Sequence, residues 1–227
     1  MKNKLKIRVA YLIIAAFLVS SAVTFEADAS EYKTIFVLSQ IDYVAELDGT
    51  VENFSYNSKG FVTKVDDPYF NQSWKYYYDT KCNIKKAYFA SNSGTGFYSY
   101  FYYKKGKLSK QVQKKRFGDY DSTIKYSWKN GRISKIKNQY SSDSYSTSTF
   151  KYDKKGNVKY QKDVSVNEKK YVHASKISLK YKHGRLSKKS PKSGTVQKLS
   201  YKKITVPKKY VSKIKEQQWY FINHMLY

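Results

Sequence analysis

The chain has 227 residues, of which 44 are basic and 17 acidic, so that its formal net charge at pH 7 is +27. Its single cysteine excludes a disulfide framework within one molecule. Aliphatic residues are sparse whereas there are 25 tyrosines and 12 phenylalanines, so that we expect a largely aromatic core.

The first 29 residues have the order that is typical of a signal peptide. Four basic residues lie within the first eight, an uncharged and mostly apolar run follows at 9–23, and an A-x-A cleavage site ends at Ala29. The run is too short for a comfortable membrane span, and no later segment approaches eighteen apolar residues. We therefore expect a secreted protein that begins near Ser30. The bias towards Lys, Tyr, Asn and Ser suggests an AT-rich, Gram-positive genome.

The next segment differs in charge from the rest of the chain. Between Ser30 and Asp67 seven acidic residues face three basic ones, whereas the remainder is strongly basic. One hypothesis is that this acidic segment folds back over a basic face and masks it.

Six segments between Phe54 and Leu186 repeat one plan: an aromatic residue, two or three polar residues, a glycine, any residue, and an aliphatic residue. The turn positions are Gly60, Cys82, Gly106, Gly131, Gly156 and Gly184, spaced by 22, 24, 25, 25 and 28 residues. Apolar residues alternate before each turn, which indicates a half-buried strand, and glycine suits a tight hairpin turn. The sequence predicts an all-β domain over 30–206, in which tandem antiparallel hairpins form a curved or twisted sheet. An open sheet and a closed barrel both remain compatible with this pattern.

Cys82 stands where the other units have glycine. A non-glycine residue with a positive φ costs about a kcal/mol or more, although Asn83 beside it could take that conformation instead. We expect a free surface thiol, with a disulfide-linked dimer as the alternative.

The C-terminal segment, 207–227, lacks turn glycines. Pro207 suits the first turn of a helix, and apolar residues follow at helical spacing. We predict a short amphipathic helix from about Lys208 to His224 that caps the last repeat and its exposed edge. A final strand around Trp219–Ile222 is the alternative.

Three of the units resemble the YD repeat, whose pattern is Y-D-x-x-G-x-aliphatic, of Rhs and teneurin-type proteins. They are Tyr152–Val158, Tyr78–Ile84 and Tyr56–Val62. The other three are one residue shorter and resemble the hairpins of MORN-like repeats. The resemblance covers about Val51–Lys188 and implies extracellular hairpin arrays, for which carbohydrate binding is the expected role.

The recurring aromatic residues are the first candidates for ligand contact, because flat rings suit the apolar faces of sugars and nucleobases. Most of them are needed for the core. The rings that we expect to be exposed stand outside the alternation: Tyr77, Tyr98, Tyr103 and Tyr120.

A lysine stands four residues after the turn position in five of the six units, with Tyr160 as the exception. These lysines are Lys64, Lys86, Lys110, Lys135 and Lys188. In a regular strand this position shares a face with the aliphatic residue two earlier, so that the lysines would line up and track a phosphate- or carboxylate-bearing polymer. The alternative is that lysine stems cover apolar surface and keep their heads in water.

No motif of an enzyme, a metal site or a cofactor site stands out: the three histidines lie far apart, and nothing positions the carboxylates. We therefore predict a secreted, non-catalytic protein without a cofactor, retained at the cell wall, whose basic surface associates with cell-wall or other anionic glycans. The alternatives are a structural or protein-interaction module and an extracellular binder of nucleic acid or heparin-like polyanions. The sequence leaves the oligomeric state open.

Overall fold

The computed structural model of the chain describes residues 31–44, 50–94, 96–115, 122–168, 171–191 and 195–224. The predicted signal peptide, 1–29, lies outside the described residues, as does Tyr120. The described residues form fourteen strands and a C-terminal helix: β1 Tyr32–Val44, β2 Val51–Tyr56, β3 Val62–Asp67, β4 Gln72–Tyr78, β5 Ile84–Ala90, β6 Gly96–Lys104, β7 Lys107–Lys115, β8 Ser122–Lys129, β9 Arg132–Gln139, β10 Tyr145–Tyr152, β11 Val158–Asn167, β12 Tyr171–Lys182, β13 Arg185–Pro191, β14 Val196–Pro207 and α1 Val211–His224.

The strands form a closed antiparallel barrel in which each strand pairs with its neighbours in chain order. Closure comes from β1 and β14, which pair along most of their length, from Tyr32 opposite Pro207 to Val44 opposite Val196. The predicted antiparallel hairpins are confirmed, whereas a curved sheet with free edges is wrong. Because β1 and β14 pair their backbone N–H and C=O groups with each other, none of the fourteen described strands is an edge strand.

The acidic segment is part of the barrel wall. Its described residues form β1, β2 and β3, which pair in sequence and lead into β4. The hypothesis that it folds back over the basic face is therefore wrong for these residues.

The six repeated turns lie at one end of the barrel, here called the turn end; the opposite end is the loop end. Each of these hairpins contains a β-bulge just after the turn. In the first, Tyr56 pairs with Val62 but Ser55 pairs with Lys64, so that Thr63 is the extra residue. A bulge places two residues opposite one and reverses the inward and outward phase beyond it.

The interior is therefore filled by residues two and five positions after the turn. The residues two positions after it are the aliphatic members of the repeat, and all of them are buried: Val62, Ile84, Leu108, Ile133, Val158 and Leu186. The residues five positions after it are also buried: Val65, Ala87, Gln111, Ile136, Gln161 and Lys189. The second set is partly polar, and it lies further from the turn end.

The aromatic residue before each of the six turns, and Tyr201 on β14, bonds to the preceding strand. Tyr181 is 38% exposed and the other six are half-buried. The hydroxyl or indole N–H of each donates to a backbone carbonyl oxygen, over 2.6–3.2 Å in six of the seven bonds. The pairs are Tyr56–Leu38, Tyr78–Val62, Tyr103–Ile84, Trp128–Leu108, Tyr152–Ile133, Tyr181–Val158 and Tyr201–Leu186. We call this set the aromatic ring of the barrel. It explains why an aromatic residue with a polar donor recurs at this position.

Helix α1 lies inside the turn end of the barrel, after a 3-10 turn at Lys208–Tyr210. The ring of Phe221 contacts Phe54 on β2 and Tyr76 on β4, with centroids 6.0 and 5.0 Å apart. The ring centroids of Trp219 and of Phe150 on β10 lie 5.2 Å apart. The predicted C-terminal helix is confirmed, but its expected position on an exposed edge is wrong. Closure of the barrel removes that edge, and the apolar face of the helix packs inside the lumen instead.

Polar side chains fix the helix within the lumen. Gln218 accepts a hydrogen bond from the Leu38 N–H at 2.6 Å and donates to the Tyr56 hydroxyl at 3.1 Å. The buried Lys189 ammonium donates to the Ile222 carbonyl in the last turn of α1 at 2.7 Å, where the helix dipole favours a positive group. Among the described residues, no helix is long and apolar enough to cross a membrane.

Candidate functional site

The five lysines of the predicted ladder lie on the outer wall of the barrel. The expectation that they share a face with the aliphatic residue two positions earlier is wrong, because the bulge inserts one residue between them. Lys135 is exposed and the other four are half-buried: Lys64, Lys86, Lys110 and Lys188. Lys64 also forms an ion pair with Asp66.

Two of these lysines, Lys110 and Lys188, have further lysines directly opposite them on the neighbouring strands and so belong to rows. Lys110 on β7 stands opposite Lys125 on β8, which stands opposite Lys137 on β9. These three residues are the first lysine row. The second lysine row comprises Lys180 on β12, Lys188 on β13 and Lys198 on β14, again as direct neighbours.

The two rows work against the stability of the sheet. Like charges directly opposite each other on neighbouring strands are destabilising, and within the described part of the chain none of the six lysines forms an ion pair. The rows therefore concentrate unneutralised positive charge on the outer wall. The sequence did not reveal Lys125, Lys137, Lys180 and Lys198 as candidates, because only the pairing register of consecutive strands brings them beside the ladder.

A patch of tyrosine rings adjoins the first lysine row on β4–β7. The Lys86 ammonium lies 4.9 Å from the ring centroid of Tyr77 and 4.6 Å from that of Tyr98. Lys110 lies 4.6 Å from the centroid of Tyr102. Such contacts contribute about 0.5–1 kcal/mol at exposed sites, and they hold the ammonium groups close to rings on the outer wall.

The predicted exposed tyrosines divide into two groups. Tyr77 is 46% exposed, and Tyr98 is half-buried on the outer wall beside it. The expectation for Tyr103 is wrong: its ring packs against the core, and its hydroxyl donates to the Ile84 carbonyl. Burial raises the pKa of the Tyr103 hydroxyl, which keeps it protonated as a donor.

The barrel interior contains a cavity of about 510 Å³ at the loop end, beyond the helix. We call it the loop-end cavity. Its described lining is aromatic on one side and rich in amides and hydroxyls on the other: Tyr43, Thr50, Glu52, Asp67, Phe70, Gln72, Trp74, Tyr76, Phe89, Phe97, Gln111, Gln113, Ile124, Ile136, Asn138, Tyr140, Ser146, Ser148 and Tyr220. No sequence pattern indicates this cavity, because these residues come together only when the barrel closes.

Glu52 is the buried acid of this cavity. Burial raises the pKa of its carboxyl to about 8; a hydrogen bond with Tyr43 opposes the shift, and the charge of Asp67 adds to it. None of the described lining residues is a lysine or an arginine, although the chain has 44 basic residues. The outer wall and the described lining of this cavity therefore differ sharply in charge.

Comparison with protein families gives one match. Residues 90–199, a little under half of the chain, match a family described as "Protein of unknown function (DUF1481)". The suggested membership of the YD or MORN-like repeat families is therefore wrong, because the model that matches across the repeats is of another family.

Comparison with individual proteins adds little. No curated protein matches the sequence. Among solved structures, a porin-like protein from Bacteroides uniformis is 12% identical, with 74% of this chain and 96% of that chain covered and a TM-score of 0.32. We draw no conclusion about this protein from a match at this TM-score.

Proposed function

We propose that the protein is a secreted, non-catalytic binding protein whose outer wall associates with anionic glycans such as the teichoic acids of a cell wall. The observation that carries this proposal is the pair of lysine rows. Like charges side by side weaken a sheet, so that their presence on two separate parts of the wall favours a role for the positive potential itself.

The spacing of the rows suits a polymer better than a single small anion. Neighbouring strands lie about 4.8 Å apart, so that three adjacent lysines present ammonium groups along roughly 10 Å of wall. Each contact is weak, but contacts repeated along one polymer strengthen each other through their effective concentration. The adjoining rings of Tyr77 and Tyr102, which are 46% and 45% exposed, offer flat apolar surface to sugar units.

The first experiment is retention of the mature protein, 30–227, on purified Gram-positive cell walls with and without teichoic acids, over a series of salt concentrations. We expect retention that requires teichoic acid and declines steeply with salt, because charge-driven binding to a polymer releases counterions. No retention at any salt concentration would favour a protein-interaction module. Stronger binding to duplex DNA than to teichoic acid at the same salt would favour a nucleic-acid binder.

A matched pair of variants locates the surface. Replacing Lys110, Lys125 and Lys137 together by glutamine removes the first lysine row. The control replaces three exposed lysines near the tips of separate turns: Lys81, Lys129 and Lys154. Both variants lose three charges, so that weaker retention of the row variant alone supports a site on the wall. Equal losses would mean that net charge, rather than the row, drives retention.

A further inference from the structure

We infer that the loop-end cavity is a binding site for a small neutral saccharide, of one or two sugar units. This site is separate from the proposed polymer surface, because it lies within the lumen whereas the lysine rows lie on the outer wall. A volume of about 510 Å³ falls within the range of small-molecule sites in proteins.

Three buried oxygen atoms in the lining have no partner within the part of the chain that the structure describes. They are Thr50 Oγ1, Glu52 Oε2 and Asn138 Oδ1. Thr50 and Asn138 are only 4% and 9% exposed, and both line the cavity. A buried polar atom without a hydrogen bond costs free energy, so that a cavity with a hydroxyl, a carboxyl and an amide oxygen in this state suits a ligand with several hydroxyl or amide groups that both donate and accept.

The side chains at the floor of the cavity form hydrogen bonds with one another. The Tyr126 and Tyr220 hydroxyls both donate to Gln111 Oε1, over 3.0 and 3.2 Å, and Gln111 Nε2 donates to Ser99 at 3.1 Å. Tyr220 belongs to α1, so that the helix seals the lumen below the cavity. The three unpartnered polar atoms therefore lie above a floor whose side chains are already held by hydrogen bonds to one another, and such preorganisation favours binding of a small molecule.

Aromatic side chains supply the apolar part of the wall. Trp74 on β4 packs against Phe89 and Phe97, with ring centroids 5.0 and 5.2 Å away, and Phe89 and Phe97 lie 4.9 Å apart. Phe70 and Tyr140 are 40% and 42% exposed while also lining the cavity, so that they mark its opening at the loop end. An aromatic wall together with hydrogen-bonding groups suits a sugar ring, which has apolar C–H faces and hydroxyls at its edge.

The charge of the lining favours a neutral ligand. With no lysine or arginine among the described lining residues, nothing there neutralises an anion. Because the pKa of Glu52 is about 8, its carboxyl is mostly protonated at neutral pH and does not supply a full charge for a cation. Asp67 lies near the rim, where it accepts backbone N–H bonds from Tyr69 and Phe70 at 3.0 and 3.2 Å.

The test is calorimetric titration of the mature protein with two neutral disaccharides, maltose and N,N′-diacetylchitobiose. We expect saturable binding of at least one, with an affinity that hardly changes with salt because no ion pair forms. Thr50→Val, which removes one acceptor at nearly constant volume, and Asn138→Leu should each weaken binding about ten-fold or more. Lys75→Gln is the control, because Lys75 lies between the lining residues Trp74 and Tyr76 but is exposed on the outer wall, so that its replacement should leave the affinity unchanged.

Three results would overturn the inference. The first is the absence of binding by either disaccharide at any concentration that its solubility allows. The second is equal affinity in the wild type, Thr50→Val and Asn138→Leu, with each variant shown to be folded by its circular dichroism and cooperative melting. The third is tighter binding of the organic cation benzyltrimethylammonium, which would assign the cavity to amines. Salt-insensitive disaccharide binding together with a failure to bind teichoic acid would leave this inference standing and reject only the proposed surface.

Discussion

At the scale of single residues, the backbone of the longer turns requires a left-handed conformation. Gly60 has a φ of +86° and Gly156 one of +91°, and Cys82 adopts +59° at the same position in its turn. Cys82 itself, rather than Asn83, therefore takes the strained conformation. The thiol is free but half-buried, because Cys82 packs against the small core cluster that contains Phe61, Val206 and Ile214. The Cys82 carbonyl accepts a hydrogen bond from Gln217 at 2.8 Å, which ties this turn to the helix.

A pair of glycine variants separates backbone strain from crowding. An added Cβ at Gly60 would lie 2.6 Å from Val206 Cγ1 and 2.8 Å from Ile214 Cδ1, whereas at Gly106, with a φ of +72°, it would meet open space. Gly106→Ala should cost about 1–2 kcal/mol through the positive φ, and Gly60→Ala a further 1–3 kcal/mol through overpacking. Urea unfolding of both variants measures the difference. Equal costs would contradict the close packing of this turn against β14 and α1.

Glu52 predicts a distinctive dependence of stability on pH. The pKa of its carboxyl is about 8 in the folded protein and about 4.5 in the unfolded chain, so that the folded state alone keeps the proton between these values. The resulting contribution is fully present below pH 4.5 and is lost as the pH rises through 8. The buried Lys189, with a pKa lowered to about 7 by burial, has the opposite sign: its contribution rises between pH 7 and 10.5.

The comparison with Glu52→Gln isolates the contribution of Glu52. From pH 5 to 8 the stability of the wild type should fall relative to the variant by up to about 1.4 kcal/mol per pH unit. Lys189 and the other titrating groups are present in both proteins, so that their contributions cancel. Urea unfolding at four pH values measures this, and parallel curves for the two proteins would contradict the buried, protonated state of Glu52.

At the scale of the elements, the hairpins are connected by the aromatic ring of the barrel. Tyr78→Phe removes the hydroxyl that donates to the Val62 carbonyl at 2.6 Å, which leaves that carbonyl with one partner fewer. We expect a loss of about 1–2 kcal/mol in the free energy of unfolding. Tyr77→Phe is the control in the next position, because that ring is 46% exposed and its change should stay within about 0.5 kcal/mol. Equal losses of stability for the two variants in thermal or urea unfolding would contradict the structural role of the hydroxyl bonds in the aromatic ring of the barrel.

The hairpins and the helix could be predicted from local signals. A glycine that follows alternating apolar residues defines a turn, and Pro207 followed by helically spaced Ile214, Gln218 and Phe221 defines a helix whose buried face these three residues form. The orientation of the lysines could not be predicted in this way. The bulge residue is Thr63, Lys85 or Ser109 in the first three hairpins, and nothing in these residue types marks an insertion into a strand.

The closure of the barrel depends on contacts between the two ends of the chain. β1 stands outside the repeat, and its partner β14 follows it by more than 150 residues, so that no local pattern indicates that they pair. The grouping of the residues that line the loop-end cavity also depends on this closure. Thr50 and Glu52 near the N-terminus face the same cavity as Asn138 and Tyr220 only because β2 and β9 belong to one cylinder that contains the helix.

At the scale of the whole molecule, charge and polarity are arranged in layers. Lysine rows occupy the outer wall, aromatic and aliphatic side chains hold α1 in the turn end, and a cavity without lysine or arginine in its described lining occupies the loop end. We therefore propose that an extended polyanion binds to the outside of the barrel and a small neutral molecule to its inside.

The proposed binding of a polyanion to the outer wall is tested by the salt dependence of the affinity for a fluorescently labelled teichoic acid, measured by fluorescence anisotropy. For the wild type the logarithm of the association constant should fall linearly with the logarithm of the salt concentration. Replacing Lys110, Lys125 and Lys137 by glutamine should make this slope shallower by roughly one for each lysine that contacts a phosphate, whereas the turn control at Lys81, Lys129 and Lys154 should keep the wild-type slope. Identical slopes in the two variants would contradict the assignment of binding to the first lysine row.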